Sequence, residues 1–196
     1  MNILITGGTG FIGKQIAIKI LELGTISFDG QAAQTIDKVI LFDAFAGEEL
    51  PQDPKIQVIT GDITDKSLVE KITENIDVVW HLAAVVSSAA EADFDLGMNV
   101  NLYGLLTLLE ALRKHGSKPR VIFASGCAVF GGELPDVVTD QTVVTPKSSY
   151  GMQKAIGELL VSDYSRKGFI DGRVLRLPTI VVRPGKPNKA ASTFFS

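Results

Sequence analysis

The sequence has little cysteine, no long apolar run and no excess of basic charge. Its single cysteine, Cys127, excludes a disulfide framework and suits a reducing compartment. No apolar run reaches the roughly 18 residues that span a bilayer, so we expect no membrane segment. The net charge of −3, without a basic stripe, argues against nucleic acid as a partner. An apolar run follows Met1 directly and leaves no room for a signal peptide, so we expect a cytoplasmic protein.

Short apolar runs alternate with helical patterns through most of the sequence. The apolar runs, which predict buried strands, are residues 2–6, 38–42, 56–60, 78–82, 120–125 and 173–177. Apolar residues recur at helical spacing in residues 11–23, 66–75, 91–115 and 148–167. Residues 25–37 are polar, and we expect an irregular connection there. Because strands that alternate with helices form parallel sheets with right-handed crossovers, the sequence predicts an α/β fold with a doubly wound parallel sheet.

Three glycines follow the first predicted strand at the spacing Gly-x-x-Gly-x-x-Gly. Gly7 allows a tight turn, Gly10 lets the backbone approach a pyrophosphate, and Gly13 lets the next helix pack against the sheet. The N-terminus of that helix offers N–H groups and partial positive charge to phosphates. A glycine-rich turn without a ligand would show the same spacing. The strand before it, the helix after it and an acidic residue at a later strand end favour a dinucleotide site.

Asp43 ends the second predicted strand, where a carboxylate can accept hydrogen bonds from an adenosine ribose. No arginine follows it to meet a 2′-phosphate, and the carboxylate would repel one, so we expect NAD rather than NADP. The alternative is an ordinary turn residue at a strand end.

The end of the fourth predicted strand is lined by small residues. Ala83 and Ala84 leave room for a ligand at the sheet edge. Ser87 follows at the mouth of the expected cleft, where it either contacts substrate or belongs to a plain loop. His81 lies inside the apolar run, which favours core packing over catalysis, and we expect no metal site.

Tyr150 and Lys154 are four residues apart in a predicted helix and therefore share a face. A free tyrosine has a pKa near 10, and a neighbouring ammonium group favours the phenolate. The pair would give a general base that removes a hydroxyl proton while hydride leaves the same carbon. The alternative is two unrelated surface residues.

The segment Thr6–Gly13 and the Tyr-x-x-x-Lys pair resemble the extended short-chain dehydrogenase/reductases. This family has an NAD(P)-binding Rossmann fold and includes sugar-nucleotide epimerases and dehydratases. Residues 149–160, 163–172 and 175–188 resemble a group within it that oxidises a small four-carbon sugar acid, such as D-erythronate, with NAD. The resemblance implies that activity; the alternatives are a sugar-nucleotide epimerase or dehydratase, or a dinucleotide-binding module without catalysis.

The resemblance also implies a set of site residues. The implied cofactor contacts are Gly7, Gly10, Phe11, Ile12, Gly13, Asp43, Asp62, Ile63, Leu82, Ala83, Ala84, Asn101, Ser125, Tyr150, Lys154 and Pro178. In the family the residue at Asn101 stiffens the site and supports a proton relay; otherwise Asn101 would be an exposed helix asparagine.

The sequence departs from the family at the end of the fifth predicted strand. Family members carry two adjacent hydroxyl residues there, and the second position is Gly126 in this chain. Ser125 is the only nearby hydroxyl, so we expect it to orient the substrate alongside Tyr150 and Lys154. We expect Cys127 to be packed rather than catalytic.

The resemblance finally implies a domain division and a partner. Residues 1–177 would form the NAD-binding domain, and 178–196 would begin a truncated substrate-binding region. There Arg183 and Lys186 suit a carboxylate substrate, or else belong to a basic surface loop. The helices around residues 102–112 and 156–160 resemble those of the family's dimer bundle, so we expect a homodimer.

Overall fold

A computed structural model describes residues 1–180, and the architecture is a parallel sheet covered by helices on both faces. The six sheet strands are β1 (Asn2–Thr6), β4 (Lys38–Asp43), β5 (Ile56–Thr60), β6 (Val78–His81), β7 (Arg120–Gly126) and β8 (Asp171–Leu177). Their order across the sheet is β5-β4-β1-β6-β7-β8, and every pairing is parallel. The predicted doubly wound α/β fold is therefore confirmed, with the order reversing between β1 and β6.

The helices connect these strands in chain order. They are α1 (Phe11–Leu23), α2 (Lys66–Ile72), α3 (Ser87–Ala92), α4 (Phe94–Gly97), α5 (Gly104–His115) and α6 (Ser149–Arg166), with a π-helical turn at Met98–Tyr103. A 3₁₀ turn at Cys127–Val129 follows β7. No helix in this described part of the chain is long and apolar enough to cross a membrane.

Alternate residues of the central strands build two separate cores. Leu4 lies in one core, together with Leu105, Leu108, Leu109 and Leu112 of α5, while Ile3 and Ile5 lie in the other with Ala17 of α1. All of these side chains are fully buried. Burial on both faces explains why the strands read as continuous apolar runs rather than alternating patterns.

The predicted helix over residues 91–115 is wrong at its start and in its regularity. Helix α3 already begins at Ser87, and the chain becomes extended at Asp93, whose carboxylate accepts a hydrogen bond from the Leu96 N–H and starts α4. The π-helical turn then shifts the helical phase. Leu108 is fully buried, whereas Leu102, before the end of the π-helical turn, is only half-buried.

The expectation of an irregular connection at residues 25–37 is wrong in part. The segment contains a short antiparallel hairpin of β2 (Thr25–Ile26) and β3 (Gln34–Thr35). Long-range contacts hold it. The Arg120 guanidinium lies 4.2 Å from the Phe28 ring centroid and pairs with Asp29. Two-residue strands leave no periodic signal, which is why the sequence did not predict them.

Candidate active site

The glycine turn after β1 closes tightly on the end of β6. Gly7 has φ +69°, and a Cβ there would lie 2.9 Å from the Ala83 nitrogen. A Cβ on Gly13 would lie 2.4 Å from the Gly7 carbonyl oxygen. Both positions therefore require glycine, as predicted.

The start of α1 is suited to an anion. A Cβ on Gly10 would meet only the Gly7 carbonyl oxygen, at 3.3 Å, so this side of the turn is open to a ligand. The N-cap residue of α1 is Gly10, which has no side chain to cap the helix. The first-turn N–H groups of Phe11, Ile12 and Gly13 thus remain available to phosphate oxygens.

Asp43 lies beside this turn because β4 pairs with β1. One carboxylate oxygen accepts a hydrogen bond from the Thr9 N–H at 3.2 Å, and the other accepts one from the Ala44 N–H at 2.8 Å. The carboxylate is half-buried and still has lone pairs for a ribose hydroxyl.

Asp62 and Ile63 lie after β5. Asp62 is exposed and accepts hydrogen bonds from the N–H and hydroxyl of Thr64, both at 2.8 Å. Ile63 is 5 % exposed and lies against Gly104, where a Cβ would come within 2.6 Å of it. These contacts give Asp62 a role in the turn and Ile63 a role in the core. The contact of both residues with a cofactor stays a prediction.

The residues at the end of β6 form hydrogen bonds with Thr6. The Leu82 N–H donates to the Thr6 carbonyl at 3.0 Å, and the Ala83 N–H donates to the Thr6 hydroxyl at 3.3 Å. That hydroxyl also lies 2.8 Å from Nδ1 of His81, whose ring stacks on Phe123. Complete burial lowers the pKa of His81 to about 3, which keeps the ring neutral and fits the predicted core role.

Asn101 lies in the π-helical turn and is 3 % exposed, so the alternative of an exposed helix asparagine is wrong. Its amide oxygen accepts a hydrogen bond from the Val85 N–H at 2.9 Å, and its amide nitrogen donates to the Val85 carbonyl at 3.3 Å. It therefore fixes the loop that follows β6. π-Helical turns often lie at functional sites.

Lys154 is buried beneath Tyr150. The residue is 3 % exposed, its ammonium group donates to the Ala124 carbonyl at 2.7 Å, and it lies 5.6 Å from the Tyr150 ring centroid. Helix α6 lies close to the residues after β7, since a Cβ on Gly151 would be 2.2 Å from the Ala128 carbonyl oxygen. The structure thus brings the predicted pair together at the carboxyl end of β7.

Burial shifts the pKa of both groups. It lowers the pKa of Lys154 to about 8 and raises the pKa of Tyr150 above its ordinary value. The expected lowering of the Tyr150 pKa is therefore wrong for this state of the protein, because desolvation of the phenol dominates.

Ser125 is buried, and its hydroxyl donates to the Glu158 carboxylate at 2.5 Å. That carboxylate also accepts hydrogen bonds from Nε and Nη2 of Arg176, the latter at 2.7 Å. The Ser125 hydroxyl is thus committed to Glu158, and its role toward substrate stays a prediction. Sequence reasoning missed Glu158, although it lies four residues after Lys154 on the same helical face.

The positions after Ser125 differ from expectation in one respect. Cys127 is exposed in the 3₁₀ turn, so the expectation that it is packed is wrong. Gly126 is extended, with φ −166°, and a Cβ there would meet only the Leu177 carbonyl oxygen at 3.5 Å, an ordinary contact.

The remaining predicted residues lie at the borders of two elements or outside the described part of the chain. Ser87 is the first residue of α3 rather than part of a loop, and Pro178 directly follows β8. Arg183 and Lys186 lie outside the described residues.

Known proteins resemble the chain over its whole length. The family model described as "NAD dependent epimerase/dehydratase family" matches residues 3–196. D-erythronate dehydrogenases of Cupriavidus necator and Haemophilus influenzae are 57% and 47% identical to the chain, each over 100% of it and 60% of the relative. A solved structure titled as the nucleoside-diphosphate-sugar epimerase from Agrobacterium tumefaciens is 45% identical with a TM-score of 0.89, covering 100% of this chain and 57% of that one. The chain thus spans about 60% of the length of these curated relatives.

Proposed function

Since the chain belongs to the NAD-dependent epimerase/dehydratase family, we propose that it is an NAD-dependent dehydrogenase that oxidises a hydroxyl group of a small sugar acid such as D-erythronate. The observation that carries the reaction type is the burial of Lys154 beneath Tyr150 at the carboxyl end of β7. The substrate class rests on the two D-erythronate dehydrogenases that match the full chain. In this proposal residues 1–177 bind the dinucleotide and 178–196 begin the substrate-binding region.

The cofactor site is built from the glycine turn and Asp43. The N–H groups at the start of α1 hold the pyrophosphate, and Asp43 accepts hydrogen bonds from the adenosine ribose. The negative charge of Asp43 disfavours a 2′-phosphate, which supports NAD over NADP. A bound NAD would supply the hydride acceptor for the substrate carbon.

Tyr150 acts as the general base. The Lys154 ammonium group stabilises the Tyr150 phenolate, which takes the proton of the substrate hydroxyl group and becomes a neutral phenol. A pKa of about 8 leaves Lys154 mostly protonated at neutral pH. Because burial raises the pKa of Tyr150, oxidation is expected to become faster as the pH rises.

The test is the appearance of NADH fluorescence when D-erythronate is added to the protein with NAD. We expect reduction of NAD and little reduction of NADP. Calorimetry that detects no uptake of NAD, or no NADH from any four-carbon sugar acid, would overturn the proposal.

A sugar-nucleotide epimerase is the second candidate, favoured by the 45% identity to the Agrobacterium tumefaciens structure. An epimerase interconverts UDP-sugars and releases no net NADH, so the two assays separate the candidates. A binding module without catalysis, favoured by Gly126, would take up NAD and turn over neither substrate.

The proposal includes a homodimer that works in the cytoplasm. Leu159 of α6 is 71% exposed and Tyr103, just before α5, is 50% exposed, which supports pairing of these helices with a second copy. The exposed thiol of Cys127 suits a reducing compartment.

A further inference from the structure

Gln153 lies beside Lys154 in α6, and no part of it is exposed. Its amide oxygen accepts a hydrogen bond at 2.8 Å from the Asn101 amide nitrogen. Asn101 in turn holds both backbone groups of Val85. A continuous set of hydrogen bonds therefore joins the catalytic helix to the loop after β6.

The amide of Gln153 fits a space that Gly97 leaves open. A Cβ on Gly97 would lie 2.6 Å from the Gln153 amide nitrogen. That nitrogen is buried and has no hydrogen-bond partner among residues 1–180. An unpaired buried amide lowers stability, and an apolar side chain of the same size would avoid the loss. A glutamine at this position is thus better explained by the bond to Asn101 than by stability.

The loop that this connection reaches is the one beside the phosphate-binding turn. Ala83, two residues before Val85, lies against Gly7 so closely that a Cβ on Gly7 would be 2.9 Å from its nitrogen. Movement of Val85 would therefore shift the wall of the dinucleotide cleft relative to Tyr150 and Lys154.

We infer that Gln153 is a positioning residue, which ties the loop after β6 to helix α6 so that the dinucleotide cleft and the Tyr150–Lys154 pair keep a fixed separation. The connection between Gln153 and the loop follows from the hydrogen bonds alone. Its consequence for the dinucleotide cleft rests on the proposed function. The Gln153 amide oxygen is bonded to Asn101 rather than to Tyr150 or Lys154, so Gln153 acts through Asn101.

The test compares Gln153→Met with Tyr164→Phe. Methionine keeps the volume and loses the acceptor. Tyr164 lies on the same helix and donates to Glu110 of α5, so Tyr164→Phe also removes one hydrogen bond between α6 and the preceding helical segment. In Gln153→Met we expect amide hydrogen exchange at Val85 to accelerate about tenfold and the Kd for NAD to rise about fivefold, the factor for one neutral hydrogen bond. In Tyr164→Phe we expect the exchange rate at Val85 and the Kd for NAD to stay within twofold of the native values.

Unchanged exchange at Val85, or equal changes in the two variants, would overturn the inference. If the native protein takes up no NAD, the proposed function fails, and exchange at Val85 alone still decides whether the connection exists. If Gln153→Met does not fold, Gly97→Ala serves instead, because the added methyl group displaces the Gln153 amide without removing any hydrogen-bonding residue. It should accelerate exchange at Val85 in the same way, and native rates in that variant would count against the connection.

Discussion

Lys154 carries its ammonium group at a position that is 3 % exposed, and burial lowers its pKa from 10.5 to about 8. Between these two values the unfolded chain binds more protons than the folded one, so the free energy of unfolding rises with pH through that window. Below pH 8 the full cost of burying the charge is present. The buried charge of Lys154 therefore reduces stability at neutral pH, which is consistent with the role proposed for Lys154 beside Tyr150.

We expect Lys154→Met to be more stable than the native protein at pH 7 by about 2 kcal/mol, after allowance for the lost bond to Ala124. The difference should shrink as the pH approaches 10.5, and turnover should fall by roughly 10²-fold or more. Urea unfolding at a series of pH values measures the difference. Lys19→Met is the control, since Lys19 is exposed and should show no such dependence. A stability difference that does not change with pH would contradict the argument.

In the proposed site, we expect Asp43 to determine the choice between NAD and NADP. Asp43→Asn keeps the size and one acceptor oxygen but removes the charge that repels a 2′-phosphate. We expect the preference for NAD over NADP to fall by about tenfold or more, equivalent to roughly 1.4 kcal/mol. Calorimetric titration with each dinucleotide checks this. Asp53→Asn, in the loop at the other end of the sheet, should leave the preference unchanged, and a native preference in Asp43→Asn would contradict the assignment.

Gly126 stands where the family carries a hydroxyl residue, and its extended backbone accepts a side chain without strain. We expect Gly126→Ser to fold with stability within about 1 kcal/mol of the native protein and to raise turnover of the sugar acid about tenfold or more, by adding a hydrogen bond to the reacting hydroxyl. Cys127→Ser adds a hydroxyl one residue later, at an exposed position, and should change neither quantity. Native turnover in Gly126→Ser would show that this site needs no such hydroxyl.

At the scale of elements, Glu158 joins α6 to two strands. Its carboxylate binds Ser125 of β7 and Arg176 of β8, which are paired in register across the sheet. Arg176 also lies 4.9 Å from the Phe130 ring centroid, beyond the 3₁₀ turn. This cluster fixes the carboxyl ends of both strands against the helix that carries Tyr150.

We expect Arg176→Met alone to cost about 3 kcal/mol, because it leaves the nearly buried Glu158 carboxylate with the Ser125 hydroxyl but without its cationic partner. Adding Glu158→Gln to that variant should recover at least about 1 kcal/mol, since the unpaired charge is then gone. A double-mutant cycle by urea unfolding measures the coupling. Additive effects would mean that the pair does not act as a unit.

The elements that the sequence predicted well are those with a strong local signal. The six sheet strands are short apolar runs, and their observed bounds lie within one or two residues of the predicted ones. Helix α6 begins directly after Ser148, whose hydroxyl accepts a hydrogen bond from the Gly151 N–H. The π-helical turn and the β2–β3 hairpin were missed because both depend on contacts far along the chain.

At the scale of the whole molecule, the parallel topology made most of the site predictable. Parallel strands with crossover helices bring Gly7, Asp43, Ala83 and Lys154 to one edge of the sheet, although they are far apart in sequence. Periodicity does not reveal which buried polar side chains bind each other. The Asn101–Gln153 and Ser125–Glu158 contacts could therefore be found only from the three-dimensional arrangement.

The proposed homodimer gives a prediction at this scale. Leu159→Glu places a charge on the exposed apolar face of α6 and should convert a dimer into a monomer in light scattering. Leu23→Glu is the matched control, because Leu23 is 57% exposed on α1 and should leave the mass unchanged. A native protein that is monomeric at high concentration would contradict the proposal.

Because of the π-helical turn, the site depends on the number of residues between its flanking helices as well as on their identity. A π turn holds one residue more than the α-helical turn it replaces. Loss of one codon within Met98–Tyr103, other than that of Asn101, would let the segment close into a regular α-helix and move Asn101 relative to the residues that flank the turn. Asn101 would then lose its hold on Val85 even though every functional side chain was still encoded. Substitutions are thus tolerated here more readily than changes of length.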